Sequence, residues 1–237
     1  MSRKPVILIG PDHGFDPNTH APRIILNKNY HRAISEAGGL PLIPLDIHEM
    51  QTYADMADGL LLTGGSGPHP NLYHEDFDDP AAPATVNVVR DEFEMALMDA
   101  FVKAGKPIMG ICRGHQMLNI YFGGHLVQNF PAKGHPNHHY GTSHTVKADA
   151  DSIVGKLFGT EFKVNSFHKN AISIVADDLK ITAWSPDGIP EAMEHKTLPI
   201  FGTQFHPERM RGDDKNPTLG PDTLALFEHF INLCKEK

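Results

Sequence analysis

Cysteine, concentrated positive charge and long apolar runs are all scarce in this sequence, and each shortage excludes a class of protein. The 237 residues include two cysteines, Cys112 and Cys234, too far apart to suggest the disulfide framework of a small secreted domain. Lysine and arginine number 21 against 29 aspartates and glutamates, and no basic stretch offers a nucleic-acid footprint. No apolar run approaches the roughly 18 residues that identify a membrane-spanning helix.

The composition is that of an ordinary globular protein. Hydrophobic residues make up 40% and charged residues 21% of the chain, which is long enough to bury a full core. The amino-terminal stretch MSRKPVILIG has an apolar run of only five residues, which is too short for a signal peptide. We therefore expect a cytoplasmic protein with one domain over residues 1–237 and with no membrane or nucleic-acid partner.

The first half of the chain alternates short apolar runs with helical patterns. PVILIG, GLLLTGG and PIMGI are typical of strands buried on both faces of a parallel sheet. VVRDEFEMALMDAFVKAGK has apolar residues at helical spacing, namely Val89, Phe93, Leu97, Ala100 and Phe101. The second half has strand-like pieces, from GGHLVQN to PIFGTQFH, and no clear helix before LGPDTLALFEHFINLCKEK. This pattern predicts an α/β fold with an open, mostly parallel sheet flanked by helices and with antiparallel additions in the second half.

Cys112 lies in GICRG, where an apolar run meets a helical pattern. A strand that turns directly into a helix places the turn residue at the carboxyl edge of the sheet, where open α/β sheets bind ligands. Gly110 and Gly114 leave room for such a tight turn. The helix start favours a thiolate, and the backbone N–H of Arg113 can hold an oxyanion. From this stretch alone, Cys112 is either a buried packing residue or a nucleophile.

A base for such a thiol is available in PIFGTQFHPER. The apolar strand over 200–205 leads into His206. Side chains two residues apart on a strand point the same way, so we expect Glu208 to lie beside His206. A carboxylate there fixes the tautomer of the imidazole and stabilises the imidazolium. Alone the pair is weak evidence, but Cys112, His206 and Glu208 in this order predict a nucleophile, a base and a residue that orients the base.

These motifs resemble a known superfamily. GICRGHQ, followed far along the chain by TQFHPE, resembles the class I glutamine amidotransferases. LLLTGG with GPHPNLY is similar to the loop that supplies the second oxyanion-hole N–H in that superfamily. YHRAISEAGGLPLIPL, VRDEFEMAL, VNSFHKNA and WSPDGIPEAME resemble one branch, the γ-glutamyl-γ-aminobutyrate hydrolases of the peptidase C26 type. The resemblance runs over essentially the whole chain and implies a flavodoxin-like, class I glutamine amidotransferase-like fold.

The resemblance also implies a cysteine-dependent hydrolase of γ-glutamyl amides, which releases glutamate and an amine. Cys112 would form a γ-glutamyl thioester, His206 would transfer protons, and Glu208 would orient His206. The backbone N–H groups of Gly65 and Arg113 would hold the oxyanion. Three further residues are expected to bind the substrate, namely Gly64, Gln116 and His168.

Arg113 separates two branches of the superfamily. Glutaminases that pass ammonia to a synthase commonly carry Tyr or Leu after the cysteine, whereas the resemblance to stand-alone hydrolases extends to this arginine. The alternative function is a glutaminase subunit that delivers ammonia to a separate synthase. The sequence does not name the leaving amine, which could be γ-aminobutyrate or a polyamine. Its pocket would lie in loops 13–22, 66–86 and 131–143, where the resemblance is loosest.

Histidine is abundant, with 16 residues, and four of them lie in GHPNHHYGTSH, namely His135, His138, His139 and His144. Their spacing matches no metal template, so we expect no metal and no other cofactor. The preferred interpretation is a loop at the mouth of the site that contacts the leaving amine. Asp76, Asp78 and Asp79 either form a solvated loop face or attract the cationic amine end of a substrate. The expected partners are a small-molecule γ-glutamyl amide and a second copy of the chain in a homodimer.

Overall fold

Strands and helices alternate along the computed structural model, which describes residues 3–78, 86–134, 138, 141–212 and 220–235. The strands are, in chain order, β1 (Val6–Gly10), β2 (Asp12–Phe15), β3 (Pro22–Ile25), β4 (Leu40–Leu42), β5 (Gly59–Leu62), β6 (Ile108–Ile111), β7 (His125–Val127), β8 (Thr142–Ala148), β9 (Glu161–Ser166), β10 (Ala171–Ile174), β11 (Leu179–Trp184), β12 (Pro190–His195) and β13 (Ile200–Thr203). The α-helices are α1 (Lys28–Glu36), α2 (Met50–Met56), α3 (Val88–Lys103), α4 (Arg113–Tyr121), α5 (Ile153–Phe158) and α6 (Leu224–Leu233). Within these described ranges, no helix has the length and apolar character needed to cross a membrane.

One sheet of nine strands organises the fold, in the order β4-β1-β5-β6-β13-β12-β11-β8-β9. Pairing is parallel from β4 to β13 and antiparallel from β13 to β9. Parallel neighbours need crossover connections, and helices α1, α2 and α3 lie in the crossovers of the first half. The predicted α/β sheet with antiparallel additions in the second half is confirmed.

Both faces of the sheet are covered, as β1 illustrates. Val6 and Leu8 belong to one apolar cluster, which includes residues of α2, α3 and α4. Ile7 and Ile9 belong to a second apolar cluster, which includes residues of α1, α5 and α6. Successive side chains of a strand point to opposite faces, so all five residues of β1 are buried and the sequence shows an unbroken apolar run.

Several features depart from the expectations drawn from sequence. Helix α5 lies in the second half, where no clear helix is expected, because its six residues are too few to show a helical period. β2 and β3 form an antiparallel hairpin around the expected loop 13–22. In α3, Val89 is 56% exposed although the apolar pattern places it on the buried face, whereas Arg90 and Glu94 are fully buried. The pattern locates the helix and most of its buried face, since Phe93, Leu97, Ala100 and Phe101 are buried. It misses Arg90 and Glu94, which can be buried because their opposite charges neutralise each other.

Candidate active site

Cys112 alone forms the turn between β6 and α4. Its backbone φ of 51° lies in the left-handed region, which costs a residue other than glycine on the order of 1–3 kcal/mol. A flanking glycine permits the close packing of this turn, because a Cβ on Gly114 would lie 2.5 Å from the carbonyl oxygen of Leu62. The strand–cysteine–helix turn expected from sequence is therefore present, with Cys112 buried at the carboxyl end of β6.

His206 reaches Cys112 because their strands are parallel neighbours. β13 pairs with β6, and the backbone N–H of Cys112 donates to the carbonyl oxygen of Thr203 at 2.7 Å. The expected strand over 200–205 is too long, since β13 ends at Thr203. Residues 207–209 form a 3₁₀ turn, so Glu208 meets His206 across a turn and not along a strand.

Asn165, at the end of β9, holds the backbone of His206 from both sides. Its Oδ1 accepts a hydrogen bond from the N–H of His206 at 2.8 Å, and its Nδ2 donates to the carbonyl oxygen of His206 at 2.9 Å. The sequence does not predict this role, because any residue type can supply the backbone groups that Asn165 binds, so no motif marks the pair. The sequence hints at Asn165 through its position in VNSFHKNA, the stretch that also contains His168.

His206 and Glu208 form a buried ion pair. His206 Nδ1 lies 2.8 Å from Glu208 Oε1, and both side chains are at most 5% exposed. Burial lowers the pKa of His206, but its interactions with Glu208 and Cys112 outweigh burial and raise this pKa to about 10. Burial raises the pKa of Glu208, but the charge of His206 outweighs it and holds this pKa below its usual range. The pair therefore favours an imidazolium beside Cys112.

The turn that follows β5 faces Cys112 and His206. A Cβ on Gly64 would lie 2.6 Å from His206 Cε1, so a larger residue cannot be placed there without a shift. The N–H of Gly64 donates to Tyr30 Oη at 3.0 Å. Among the described residues, the N–H of Gly65 has no such acceptor, and Gly65 lines the neighbouring cavity. Gly65 is therefore the better placed of the two glycines to donate to a ligand.

A buried charge network lies behind this turn. Arg90 Nη2 donates to the carbonyl oxygen of Gly64 at 3.1 Å, and Arg90 Nε lies 2.7 Å from Glu94 Oε1. The Arg113 side chain is 1% exposed and pairs with Glu94 and Asp91. Arg113 thus directs its side chain into the interior, while its N–H lies at the start of α4, where helical N–H groups have no intrahelical acceptor. The sequence does not predict the buried roles of Arg90, Asp91 and Glu94.

A cavity of about 620 Å³ opens above Cys112 and His206. Among the described residues, its wall includes Gly65, Gln116 and His168 but not Gly64. Gln116 Nε2 donates to the carbonyl oxygen of Asn170 at 2.8 Å and to Gln204 Oε1 at 3.0 Å. Besides His206, the charged side chains on the described part of the wall are those of Asp78, Lys169 and Arg209.

His168 is buried in the wall, and its Nδ1 lies 3.0 Å from the carbonyl oxygen of Asn170. The remaining members of the histidine-rich segment are divided. His138 and His144 are buried or nearly so, and both lie near Glu191. His135, His139 and Asp79 lie outside the described residues, as do parts of the loops 66–86 and 131–143 in which the leaving-amine pocket is expected.

Comparison with known proteins assigns this chain to a family. The sequence profile of peptidase C26 matches residues 7–208. A candidate glutamine amidotransferase from Schizosaccharomyces pombe is 39% identical over 214 residues, which cover 87% of this chain and 81% of that protein. The γ-glutamyl-γ-aminobutyrate hydrolase PuuD of Escherichia coli K12 is 31% identical over 229 residues, which cover 89% of this chain and 86% of PuuD.

The fold also has a counterpart among solved structures. A candidate component of a GMP synthase from Thermoplasma acidophilum superposes with a TM-score of 0.68. The two sequences are 22% identical, and the match covers 99% of this chain and 96% of the other. At this identity the likeness shows a shared fold.

Proposed function

Because this chain belongs to the peptidase C26 family, we propose that it hydrolyses the γ-amide bond of γ-glutamyl amides with Cys112 as the nucleophile. The observation that carries the proposal is the meeting of Cys112, His206 and Glu208 beside one cavity. Relatives that are γ-glutamyl-γ-aminobutyrate hydrolases support amide hydrolysis as the reaction class. The proposed products are glutamate and an amine.

In the proposed acylation Cys112 attacks as a thiolate, and its proton is held by His206 as the imidazolium that the ion pair with Glu208 favours. Nδ1 of His206 donates to Glu208 Oε1, so Nε2 is the nitrogen that receives the proton from Cys112. The thiolate then forms a bond with the carbonyl carbon of the γ-amide, and the π electrons move to the carbonyl oxygen. The N–H groups of Gly65 and Arg113 donate to this oxyanion. When the C–N bond breaks, the imidazolium of His206 gives its proton to the leaving amine.

Deacylation uses the same groups in reverse order. A water molecule gives a proton to His206 and attacks the γ-glutamyl thioester, and the second oxyanion occupies the same place between Gly65 and Arg113. The C–S bond then breaks, glutamate leaves, and Cys112 returns to the thiolate beside the imidazolium of His206. The buried ion pair with Glu208 keeps the imidazole in one orientation through both steps.

The wall of the cavity offers partners for the amino-acid end of the substrate. The guanidinium of Arg209 lies 4.6 Å from the centroid of the Phe167 ring, and we assign it to the α-carboxylate of the glutamyl group. Both hydrogens of Gln116 Nε2 are engaged, so its Oε1 is the atom that we assign to the α-ammonium. Asp78 is already paired with Lys133 at 2.5 Å, which weakens the case for selection of a cationic leaving amine.

The test is release of glutamate from γ-glutamyl-γ-aminobutyrate, γ-glutamyl-putrescine and other γ-glutamyl amides. The wild type should release glutamate from at least one of them, and Cys112→Ala should release none. Cys234→Ala is the matched control, because it removes the other cysteine, which is buried in the core. The proposal fails if no amide is hydrolysed, or if Cys112→Ala retains the wild-type rate.

Glutamine belongs in the same panel because it is itself a γ-amide of glutamate. The names of several relatives, which are candidate glutamine amidotransferases, favour a glutaminase as the second candidate function. Rapid hydrolysis of glutamine, appearing only when a synthase co-purifies with the chain, would support that function. Hydrolysis of larger γ-glutamyl amides by the isolated chain would support the stand-alone hydrolase.

A further inference from the structure

A second cluster of ionisable side chains is buried beside the cavity wall. We call it the histidine cluster, and its members are His138, His144 in β8, His168 and Glu191 in β12. Three imidazole nitrogens surround Glu191 Oε1, with His144 Nε2 at 2.9 Å, His138 Nδ1 at 3.5 Å and His168 Nε2 at 3.7 Å. All four side chains are at most 8% exposed. None of them has a step in the proposed hydrolysis.

The outer nitrogens of two of these rings are already committed as donors. His138 Nε2 lies 3.1 Å from the carboxylate of Asp187, and His168 Nδ1 lies 3.0 Å from the carbonyl oxygen of Asn170. A carboxylate and a carbonyl only accept hydrogen bonds, so the ring protons belong on these outer nitrogens. The inner nitrogens, His138 Nδ1 and His168 Nε2, then present lone pairs to each other at 3.3 Å.

With neutral rings, the inner side of the histidine cluster is therefore rich in lone pairs and lacks positive charge. Glu191 Oε2 and His144 Nδ1 are buried and have no hydrogen-bond partner in the described part of the chain. Buried polar groups are nearly always satisfied, and buried charges are paired or coordinate metals. Lone pairs that converge on a buried carboxylate thus point to a cation between them.

The geometry fits a zinc ion. Ligand atoms of His138, His144 and Glu191 all lie within 4.8 Å of one another. In a tetrahedral site with ligands about 2.0–2.2 Å from Zn²⁺, neighbouring ligand atoms are roughly 3.3–3.6 Å apart. The separations among His138 Nδ1, His168 Nε2 and Glu191 Oε1, at 3.3, 3.5 and 3.7 Å, are close to this spacing. His144 Nε2 lies nearer to Glu191 Oε1, at 2.9 Å, so this pair must separate slightly when an ion enters. Asp187 adds the carboxylate that commonly holds the outer N–H of a metal-bound histidine.

We propose that the histidine cluster binds one Zn²⁺ ion through His138, His144 and Glu191, with His168 as an additional ligand. The ion connects His138 and strand β8 to strand β12, which is distant from both in sequence. The expectation of no metal site rests on the spacing within 135–144, which does not include Glu191. Because His168 also lines the cavity, the ion fixes one part of the wall.

The test is Zn²⁺ binding by the full chain, prepared without a histidine tag and stripped of metal with a chelator. In competition with a chromophoric chelator, the wild type should retain one equivalent of Zn²⁺ per chain, and Zn²⁺ should raise its melting temperature. His144→Ala and Glu191→Gln should lose this equivalent, and Asp187→Asn should weaken binding about 10–100-fold. His31→Ala is the matched control, because it removes an exposed histidine from α1 and should bind as the wild type does.

The proposal is overturned if the wild type retains no Zn²⁺, or if His144→Ala and Asp187→Asn bind it as tightly as the wild type. The first result would mean that a proton, and not a metal ion, neutralises the cluster, and the second would mean that the ion binds elsewhere. If Glu191→Gln does not fold, the visible spectrum of Co²⁺ in the wild type decides the question. Intense bands of four-coordinate Co²⁺ support the site, and weak bands of six-coordinate Co²⁺ contradict it. Because metal binding is measured directly, the outcome does not depend on the proposed hydrolysis.

Discussion

Glu94→Gln tests the buried charge network most directly. Glu94 is fully buried and pairs with two arginines, since its Oε1 lies 2.7 Å from Arg90 Nε and its Oε2 contacts Arg113 Nη1. Glutamine keeps the shape of the side chain but removes the negative charge. After the substitution, Arg90 keeps only the partly exposed Asp12 at 3.3 Å as an ionic partner in the described structure, and Arg113 keeps Asp91.

The expected loss is large because two buried arginines lose the carboxylate that they share. Removing one partner of a buried ion pair costs about 3–5 kcal/mol of unfolding free energy. In a chain of this length each kcal/mol lowers the melting temperature by about 2–4 °C. Glu94→Gln should therefore melt about 6–20 °C below the wild type, with the residual pairs to Asp12 and Asp91 favouring the lower end.

Thermal and urea unfolding provide the assay, and α3 offers a matched control. Asp99→Asn removes a carboxylate that lies 2.6 Å from Lys103 on the same helix, but both side chains are exposed. This control should lose at most about 0.5 kcal/mol. If Glu94→Gln lost no more than Asp99→Asn, the reasoning that the buried arginines depend on Glu94 would be refuted. A folded Glu94→Gln protein should also have a lower kcat, because Arg90 holds the carbonyl of Gly64.

Three further substitutions test the nucleophile turn, the ion pair and the support of His206. Gly114→Ala should lower the free energy of unfolding by more than the roughly 1–3 kcal/mol typical of overpacking, because the new Cβ would lie 2.5 Å from a carbonyl oxygen. Gly10→Ala is the control and should be tolerated, because its new Cβ would lie 3.6 Å from the nearest atom. The pKa of His206 is raised to about 10 and that of Glu208 is lowered. The wild type should therefore exceed Glu208→Gln in unfolding free energy most between about pH 4.5 and 6.5, and this difference should decline as the pH rises towards 10. A difference that grows over this range in urea unfolding would contradict the assignment. Asn165→Ala frees both backbone groups of His206, so kcat should fall while KM changes little, and an unchanged kcat would show that Asn165 does not position the base.

The parts of the site that depend on sequence neighbours could be predicted. An apolar run, a cysteine between glycines and a helical pattern specify the turn at Cys112, because strand, turn and helix are consecutive. His206 and Glu208 could be placed together for the same reason, although the strand ends early and a 3₁₀ turn joins them. The sheet could be predicted because strands covered on both faces are apolar throughout, as β1 and β5 are.

The parts that depend on distant polar partners could not be predicted. The helical pattern assigns apolar residues to the core, so it exposes Arg90 and Glu94, which the structure buries against each other. Spacing within 135–144 likewise omits Glu191, because β12 lies far away in sequence and becomes a neighbour of His144 only in the fold. Asn165 leaves no pattern because its partner is the backbone of His206.

Strand β13 has a consequence for the growing chain. It pairs with β6 on one side and with β12 on the other, so it closes the centre of the sheet although it is the last strand to be synthesised. Until β13 inserts, β6 and β12 present unpaired edges, and Cys112 lacks His206 and Glu208, which we propose as its base and orienting carboxylate. A nascent or truncated chain therefore carries the cysteine without the means to activate it, and competence for catalysis arrives together with completion of the sheet.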